Sequence, residues 1–385
     1  MAIIVQKFGG TSVNTVEKRE KVLDKIIAAK EKGYDVVVVV SAMGRKGEPY
    51  ATDTFLDMLN EIGPAAAPRT KDLLASCGET ISVCLVAHAL EQRGYKACPM
   101  TGFQAGILTD PNFTNADISD INPQKVQKAL LDGYIVVAAG FQGVTADLDI
   151  TTLGRGGSDT TAIALGGALG AELVEIYTDV PGVAFTDPRL IPEAPYVKSI
   201  DFYPLHMLAR AGAKVVHHRA VKTAIAYNMP FFVRSTFSDD EGTLIGKCGE
   251  SFGGFYGMAL LKGVRVLKVE GPDHDGFWKK WAVDEIYYQD GLKECILVVQ
   301  APAGLSGIRQ ESSFLSEECD LLTIMWDSTC GVTRETVEQV LVQKGINPLG
   351  FFNLTSGGGW AVPADRSTEA IRAVYDLANG FPQAV

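Results

Sequence analysis

The sequence predicts an α/β protein in two parts: a doubly wound, mainly parallel sheet over residues 1–246, then two small ferredoxin-like βαββ units over 258–385. Three observations predict it. Apolar runs of strand length alternate with stretches of helical spacing throughout the first part. Nearly every such run ends in glycine, a hydroxyl or a charge, as at the ligand-binding edge of an open α/β sheet. Beyond a glycine-rich linker at 246–257 the pattern shortens to strand, helix, strand, strand, and nothing there forms a catalytic constellation.

Residues 2–8 (AIIVQKF) read as a buried strand running into Gly9-Gly10-Thr11-Ser12 and a helix to about residue 30. Strand, glycines, hydroxyls and helix make an anion-binding layout. Lys7 ends the strand, either as a cation for phosphate or as a surface lysine lying along apolar neighbours. The valines at 36–40 describe a strand buried on both faces, ending at Ser41-Ala42-Met43-Gly44. A polar, turn-rich segment follows at 45–49, and Thr52 and Asp53 open the next helix as caps or as ligands. Helical spacing covers 71–91, where Gly78 lowers helix propensity by about 1 kcal/mol beside Glu79, a carboxylate either solvated or engaged. Residues 96–100 read as a strand, 101–110 as a polar segment fit to line a pocket, 123–132 as a helix, and 135–140 as a strand ending in GFQG.

Next comes TTLGRGGSDTTA (151–162), little of which a hydrophobic core would explain. Gly156 and Gly157 let the main chain approach an anion, and Ser158, Asp159 and Thr160 stand where a helix at 160–169 exposes its free N–H groups. A glycine-rich turn with an ordinary cap is the plainer alternative, but it requires neither Arg155 nor three glycines. A dinucleotide fingerprint from Gly154 would need glycine where Asp159 stands, and no GxxxxGK[ST] occurs. The strand at 173–177 ends in Thr178-Asp179-Val180-Pro181-Gly182, with Asp187-Pro188-Arg189 close behind. A helical stretch at 205–227 breaks at Gly212-Ala213-Lys214 and at His217-His218. Neighbouring helix positions diverge by about 100°, so these histidines do not chelate one metal ion. Residues 231–234 close the first part. The second part reads as strands at 264–270, 295–301, 321–326, 349–355 and 359–363, with helices at 276–285, 333–344 and 368–378.

Composition bounds the function. A chain of 385 residues, 46% hydrophobic and 21% charged, reads as soluble and globular, and a net charge of −11 argues against nucleic acid or anionic membrane as partner. An anionic ligand must then meet local cations, and the candidates are Lys7, Arg155, Arg189 and Lys214, with Glu79, Asp159 and Asp179 among them. Lysine and arginine near glycine loops suit a polyphosphate; the fork of Arg155 suits a carboxylate, and Glu79 or Asp159 an ammonium. Phosphoryl transfer needs alignment and charge neutralisation more than a protein nucleophile, consistent with the lack of a Ser/His/Asp or Cys/His arrangement. Seven scattered cysteines without a CxxC pair fit reduced thiols in a cytoplasm. The N-terminus lacks the apolar core of a signal peptide, and no apolar run approaches the roughly 18 residues that span a bilayer.

KFGGTS (7–12), SAMG (41–44), SCGE (76–79), TGFQAG (101–106), GFQG around Gln142, TTLGRGGSDTTA, YTDVPGV (177–183), TDPR (186–189), GAKVVHHRAV (212–221) and VRSTF (233–237) stand in one order over 3–245. Together they resemble the monofunctional aspartokinases of the amino-acid kinase superfamily, and SAMGRKGEPYATDT resembles those of spore-forming bacteria. The resemblance implies an amino-acid kinase fold followed by paired ACT domains. It also implies transfer of the γ-phosphoryl group of ATP, with Mg2+, to the side-chain carboxylate of L-aspartate, giving 4-phospho-L-aspartate. By motif, Lys7 neutralises the transferring group, and Arg155 clamps the substrate α-carboxylate, with Ser41, Thr52, Glu79, Ser158 and Asp159 around it. Gly9, Gly10, Ser12 and Ser158 face phosphates; Thr178, Asp179, Arg189 and Lys214 hold ATP, and Asp179 also orients Lys7. Magnesium sits on phosphate oxygens and water, with no protein ligands. The family also implies a homodimer or larger homo-oligomer and an amino-acid effector at the ACT domains.

Departures from the family pattern are His218 in place of a proline and Ala184-Phe185 in place of tyrosine-threonine. Residues 271–275 (GPDHD) replace the usual effector loop, ahead of a helix carrying Phe277, Trp278 and Trp281. Two other readings compete: a kinase for a different carboxylate or carbamate, and a catalytically silent effector-binding protein.

Overall fold

The apolar stretch Ile3–Phe8 forms β1, a central strand that pairs in parallel with β2 (Asp35–Val40) on one side and with β9 (Leu173–Thr178) on the other. A computed structural model describes all residues except 1, 64, 248, 250, 253, 271–284, 291–293, 301–312, 315–317, 328–330 and 381–385. For 267–270, 285–290, 294–300 and 313–314 it describes the backbone alone. The loop expected at 271–275 and the helix with Phe277, Trp278 and Trp281 lie outside the described residues. The chain divides into two compact units, Met1–Val183 with Val215–Cys248, and Ala184–Lys214 with Gly249–Val385.

In the first unit the order across the main sheet is Thr243–Gly246, Phe231–Ser235, β9, β1, β2, β6 (Ile135–Ala139), β3 (Ala97–Met100). All pairings are parallel except the one between Phe231–Ser235 and Thr243–Gly246. This is the expected doubly wound arrangement. All five valines of β2 are fully buried, as a central strand covered on both faces requires. Helix α1 (Gly10–Val13) is a single turn, and α2 (Val16–Glu31) starts afresh behind Thr15, whose side chain accepts from the Lys18 N–H at 3.3 Å. One face of the sheet packs Ile4, Phe8, Val36, Val38 and Val40 against Leu23 and Ile26 of α2 and Val83, Val86 and Leu90 of α5 (Cys77–Gln92).

On this α2 face the sheet also carries a polar seam. Glu175, almost wholly buried, accepts from the Gln6 side-chain amide at 2.9 Å and from Tyr177 Oη at 3.1 Å, and pairs with the Arg234 guanidinium at 3.2 Å. Burial, followed by the neighbouring Glu175 charge, pushes the Tyr177 hydroxyl well above its ordinary pKa.

Three expectations are corrected. The helical stretch at 71–91 is two helices, α4 (Pro68–Ala75) and α5, broken at Ser76. By length and composition 68–92 is apolar enough to cross a membrane, contrary to the expectation of no such run; half of its apolar 18-residue stretch is buried, and 68–92 contains the buried carboxylates Asp72 and Glu79. The helix expected from residue 160 begins at Gly157, because left-handed Gly156 (φ 71°) caps it, so Ser158 and Asp159 lie inside its first turn. This helix, α7 (Gly157–Leu169), is buried nearly all round, which explains its lack of an amphipathic pattern. Unforeseen from sequence is a second sheet of four short strands in the order β5 (Ile118–Ile121), β4 (Ile107–Thr109), β7 (Gln142–Val144), β8 (Ile150–Thr152).

The second unit is one sheet, not two separate ones. Its order is Glu285–Asp290, Glu294–Gln300, Phe255–Glu270, Cys319–Trp326, Gly357–Val362, Gly350–Leu354, with Ser313–Phe314 also on Phe255–Glu270. Phe255–Glu270 runs 16 residues and takes in the end of the expected linker. Its core packs Phe255, Leu322, Ile324 and Trp360 against Val337 and Leu341 of Arg334–Gln343 and Ile371 and Val374 of Ser367–Gly380. The first unit is thus the doubly wound, mainly parallel sheet that the sequence predicts, and the second an antiparallel sheet carrying helices.

Candidate active site

Strand alternation turns Lys7 to the face opposite Gln6. There its Nζ lies 2.6 Å from Asp159 Oδ1, and each side chain is 12% exposed. Asp159 is the acidic residue in the first turn of α7, at the positive end of the helix dipole, where the Gly157 N–H is taken by the Gly154 carbonyl at 3.0 Å. Two opposite charges thus sit nearly dry beside a helix start. Above them runs the glycine loop. A Cβ on Gly9 would come 3.6 Å from Lys7 Nζ, and one on Gly10 only 2.1 Å from the Ala42 carbonyl oxygen, so residue 10 must be glycine for the turn after β1 to meet the turn after β2.

Ser41 directly follows β2, and the next residue, Ala42, donates its N–H to Glu79 Oε1 at 3.0 Å. The solvated alternative for Glu79 does not hold: the residue is 2% exposed, and its Oε2 has no partner among the described residues. Burial pushes this carboxyl up to about 8, against the opposing pull of the Ala42 N–H. A buried carboxyl with one oxygen unpaired among the described residues is uncommon in a folded interior.

Arg155 is exposed and has no side-chain partner among the described residues. Its loop, by contrast, is held from both sides. Asp72, 1% exposed, accepts from the Thr152 N–H at 2.9 Å, the Thr152 hydroxyl at 2.7 Å and the Thr114 N–H at 2.8 Å. Arg219 donates to the Leu153 and Ala116 carbonyls from the other side. Gly156 admits no side chain, since a Cβ would stand 2.2 Å from His217 Cβ. Ser158 packs on Gly140, where a Cβ would fall 2.7 Å from its own.

The remaining candidates divide. Thr178 ends β9 and donates to Asp179 Oδ1 at 3.2 Å, while Asp179 Oδ2 pairs with Arg45 at 3.2 Å on the surface. The partner of Lys7 is therefore Asp159, and Asp179 does not orient it: Asp159 is carried to the strand end by α7, whereas Asp179 lies on an exposed turn past β9. Ser12 is fully buried, 2.8 Å hydroxyl to hydroxyl from Thr236, and its N–H goes to the Gly9 carbonyl, so it ties the loop down. Thr52 is the first residue of α3 (Thr52–Ile62), behind the cap residue Ala51, and half-buried. Arg189 and Lys214 belong to the second unit and gather around Asp187. Arg189 Nε lies 2.9 Å from Asp187 Oδ1, and that carboxyl is held below its usual range by Arg189 first, with Lys214 contributing.

Lys7, Gly9, Gly10, Ser41, Glu79, Ser158 and Asp159 therefore gather at the carboxyl ends of β1 and β2 and the start of α7. Sequence reasoning missed Asp72, Arg219 and Gln142, whose side chain bridges the Gly102 N–H at 3.2 Å and the Ser76 carbonyl at 2.8 Å. The available signals were faint: a carboxylate inside an apolar helical run, and an arginine inside GAKVVHHRAV. Among the described residues no group of three or more His, Cys, Asp or Glu could hold a metal ion.

A sequence model described as the amino acid kinase family matches residues 2–235. Aspartokinase 1 of Bacillus subtilis (strain 168) is 50% identical over 245 residues, 64% of this chain and 61% of that protein. The aspartokinase of Mycolicibacterium smegmatis is 47% identical over 246 residues, 64% of this chain and 57% of that protein. The chain thus spans about three fifths of the curated relatives it matches. In structure it is similar to Escherichia coli aspartokinase III in complex with aspartate and ADP, with a TM-score of 0.79 at 23% identity, covering 97% of this chain and 99% of that one. An aspartate kinase from Synechocystis superposes with a TM-score of 0.57 at 31% identity, covering 98% and 69%.

Proposed function

Because this chain belongs to the amino acid kinase family, we propose that it is an aspartate kinase, transferring the γ-phosphoryl group of ATP to the side-chain carboxylate of L-aspartate to give 4-phospho-L-aspartate. The observation that carries the reading is the buried Glu79 carboxyl with one unpaired oxygen, at the same strand ends as the Lys7–Asp159 pair. One feature suits an ammonium and the other a phosphoryl group, and an amino diacid phosphorylated at its far end needs both.

In this reading Lys7 stabilises charge on the transferring phosphoryl oxygens, and Asp159 keeps the lysine ammonium aimed while it does so. Arg155 forks the α-carboxylate of aspartate, Glu79 Oε2 takes its ammonium, and Ser41 and Ser158 line the space between. The glycine loop and the start of α7 supply N–H donors to phosphate. Thr178 and Asp179 serve the nucleotide, with Mg2+ entering as part of MgATP. The second unit serves assembly into a homodimer and binding of an amino-acid effector, and the protein works in the cytoplasm, on a route to lysine, threonine, methionine or diaminopimelate.

An ADP-release assay against L-aspartate, L-glutamate, N-acetyl-L-glutamate and carbamate tests the reading. ADP release with L-aspartate far above the other acids is expected. Preference for another acceptor would replace the substrate, and no turnover with any of them would leave an effector-binding protein.

A further inference from the structure

Arg219 fastens the Arg155 loop from a neighbouring helix. Arg219 is the second residue of the helix His218–Tyr227, and its side chain is only 17% exposed. Its Nη1 lies 2.6 Å from Asn115 Oδ1 and also donates to the Leu153 carbonyl; Nη2 donates to the Ala116 carbonyl at 2.8 Å and to the Asp117 carboxylate. One planar guanidinium therefore joins the 115–117 turn to the residue just before Gly154-Arg155. The opposite side of the same strand end is fastened by Asp72, which takes both the N–H and the hydroxyl of Thr152. Just after these two fastenings Gly154 holds a φ of 72°, and a Cβ there would lie 2.7 Å from Asn115 Oδ1 and 3.3 Å from Arg219 Nη1.

From this arrangement we propose that Arg219 is the positioning residue of the Arg155 loop, setting where the substrate carboxylate binds. Arg155 itself is exposed and has no side-chain partner among the described residues, so its location depends on its backbone, which the Leu153 N–H fastens to the Phe141 carbonyl at 2.8 Å and the Leu153 carbonyl fastens to Arg219. A small displacement there moves the fork away from its target while leaving Lys7 and Asp159 in place. Lysine at 219 would be a point charge that cannot bridge two carbonyls in one plane.

The identity of the ligand rests on the aspartate-kinase reading; the loop's dependence on Arg219 does not. The experiment compares the full-length chain with Arg219→Lys and Arg219→Gln by steady-state kinetics and by backbone hydrogen exchange. Expected are a rise of about tenfold in KM for L-aspartate, a KM for MgATP within about twofold, and faster exchange confined to 114–117 and 152–157. In an Arg155→Lys background, Arg219→Lys should add less than about twofold, because both act through one contact. Equal rises in both KM values, or unchanged exchange at 152–157, would overturn the proposal. If the unsubstituted chain uses a different acid, the functional reading falls, and exchange at 152–157 in Arg219→Gln still decides the role of Arg219.

Discussion

Lys7 and Arg155 are the two cations with which the site would meet its ligands, and the molecule treats them in opposite ways. Lys7 stands on a central strand, nearly buried and already paired with Asp159 at 2.6 Å. Arg155 stands on a glycine loop, exposed, with its backbone fastened and its side chain unpartnered among the described residues. In the proposed reaction the phosphoryl end is thus assembled before any ligand arrives, whereas the carboxylate end is completed by the substrate. A preorganised charge acts on the chemical step; a charge that waits for its partner acts on affinity.

The contrast can be broken by substitution, most severely at Lys7. Lys7→Ala should lower kcat by about 100- to 1000-fold while aspartate binding stays measurable by calorimetry. Near-normal turnover would remove Lys7 from the mechanism. Arg155→Lys should instead raise KM for aspartate by about tenfold or more with a smaller change in kcat, and an unchanged half-saturation would erase the distinction between the two ends.

Glu79 offers a pH test. Its carboxyl, pushed up to about 8 by burial, keeps in the folded state a proton that the unfolded chain releases in the ordinary carboxylate range. The stability this group contributes is complete below that range and is lost as pH rises to about 8. The thermal midpoint of the wild type relative to Glu79→Gln should therefore fall between pH 5 and 8.5 in a ligand-free scan. Aspartate, whose ammonium favours the ionised carboxylate, should bind the wild type more tightly over the same rise, and that trend should flatten in Glu79→Gln. Parallel curves for the two proteins would contradict the assignment.

The smallest effect is expected at Arg45, whose pairing with Asp179 is exposed on both sides. Arg45→Ala should shift stability by less than about 0.5 kcal/mol in denaturant titration. A larger loss would mean that the outer loop is as built-in as the Lys7 pair.

What could be read from the sequence follows from the same contrast. Strands β2 and β6 declared themselves because they are apolar on both faces, β1 and β9 because they are largely apolar runs of strand length, and the residues at their ends stood out because a core has no use for them. The four-stranded sheet did not, because β4, β7 and β8 have three residues each and mix polar with apolar positions. Asp159 was legible as a site residue but not as the partner of Lys7, since that pairing depends on α7 beginning three residues early. Asp72 and Arg219 were invisible in their roles because their partners are mostly main-chain groups far away in sequence, which leave no trace in side-chain pattern.

The polar seam beneath the sheet carries one more consequence. Gln6 and Lys7 are adjacent, so they occupy opposite faces of β1, and Gln6 is tied to Glu175 on β9, which Arg234 holds from the next strand over. A slip of one residue in β1 would drive the lysine ammonium into the hydrocarbon layer under α2 and swing the amide out to the side that carries Asp159. An uncharged glutamine, never in touch with the chemistry, thus acts as the keel that keeps the charged residue beside it upright.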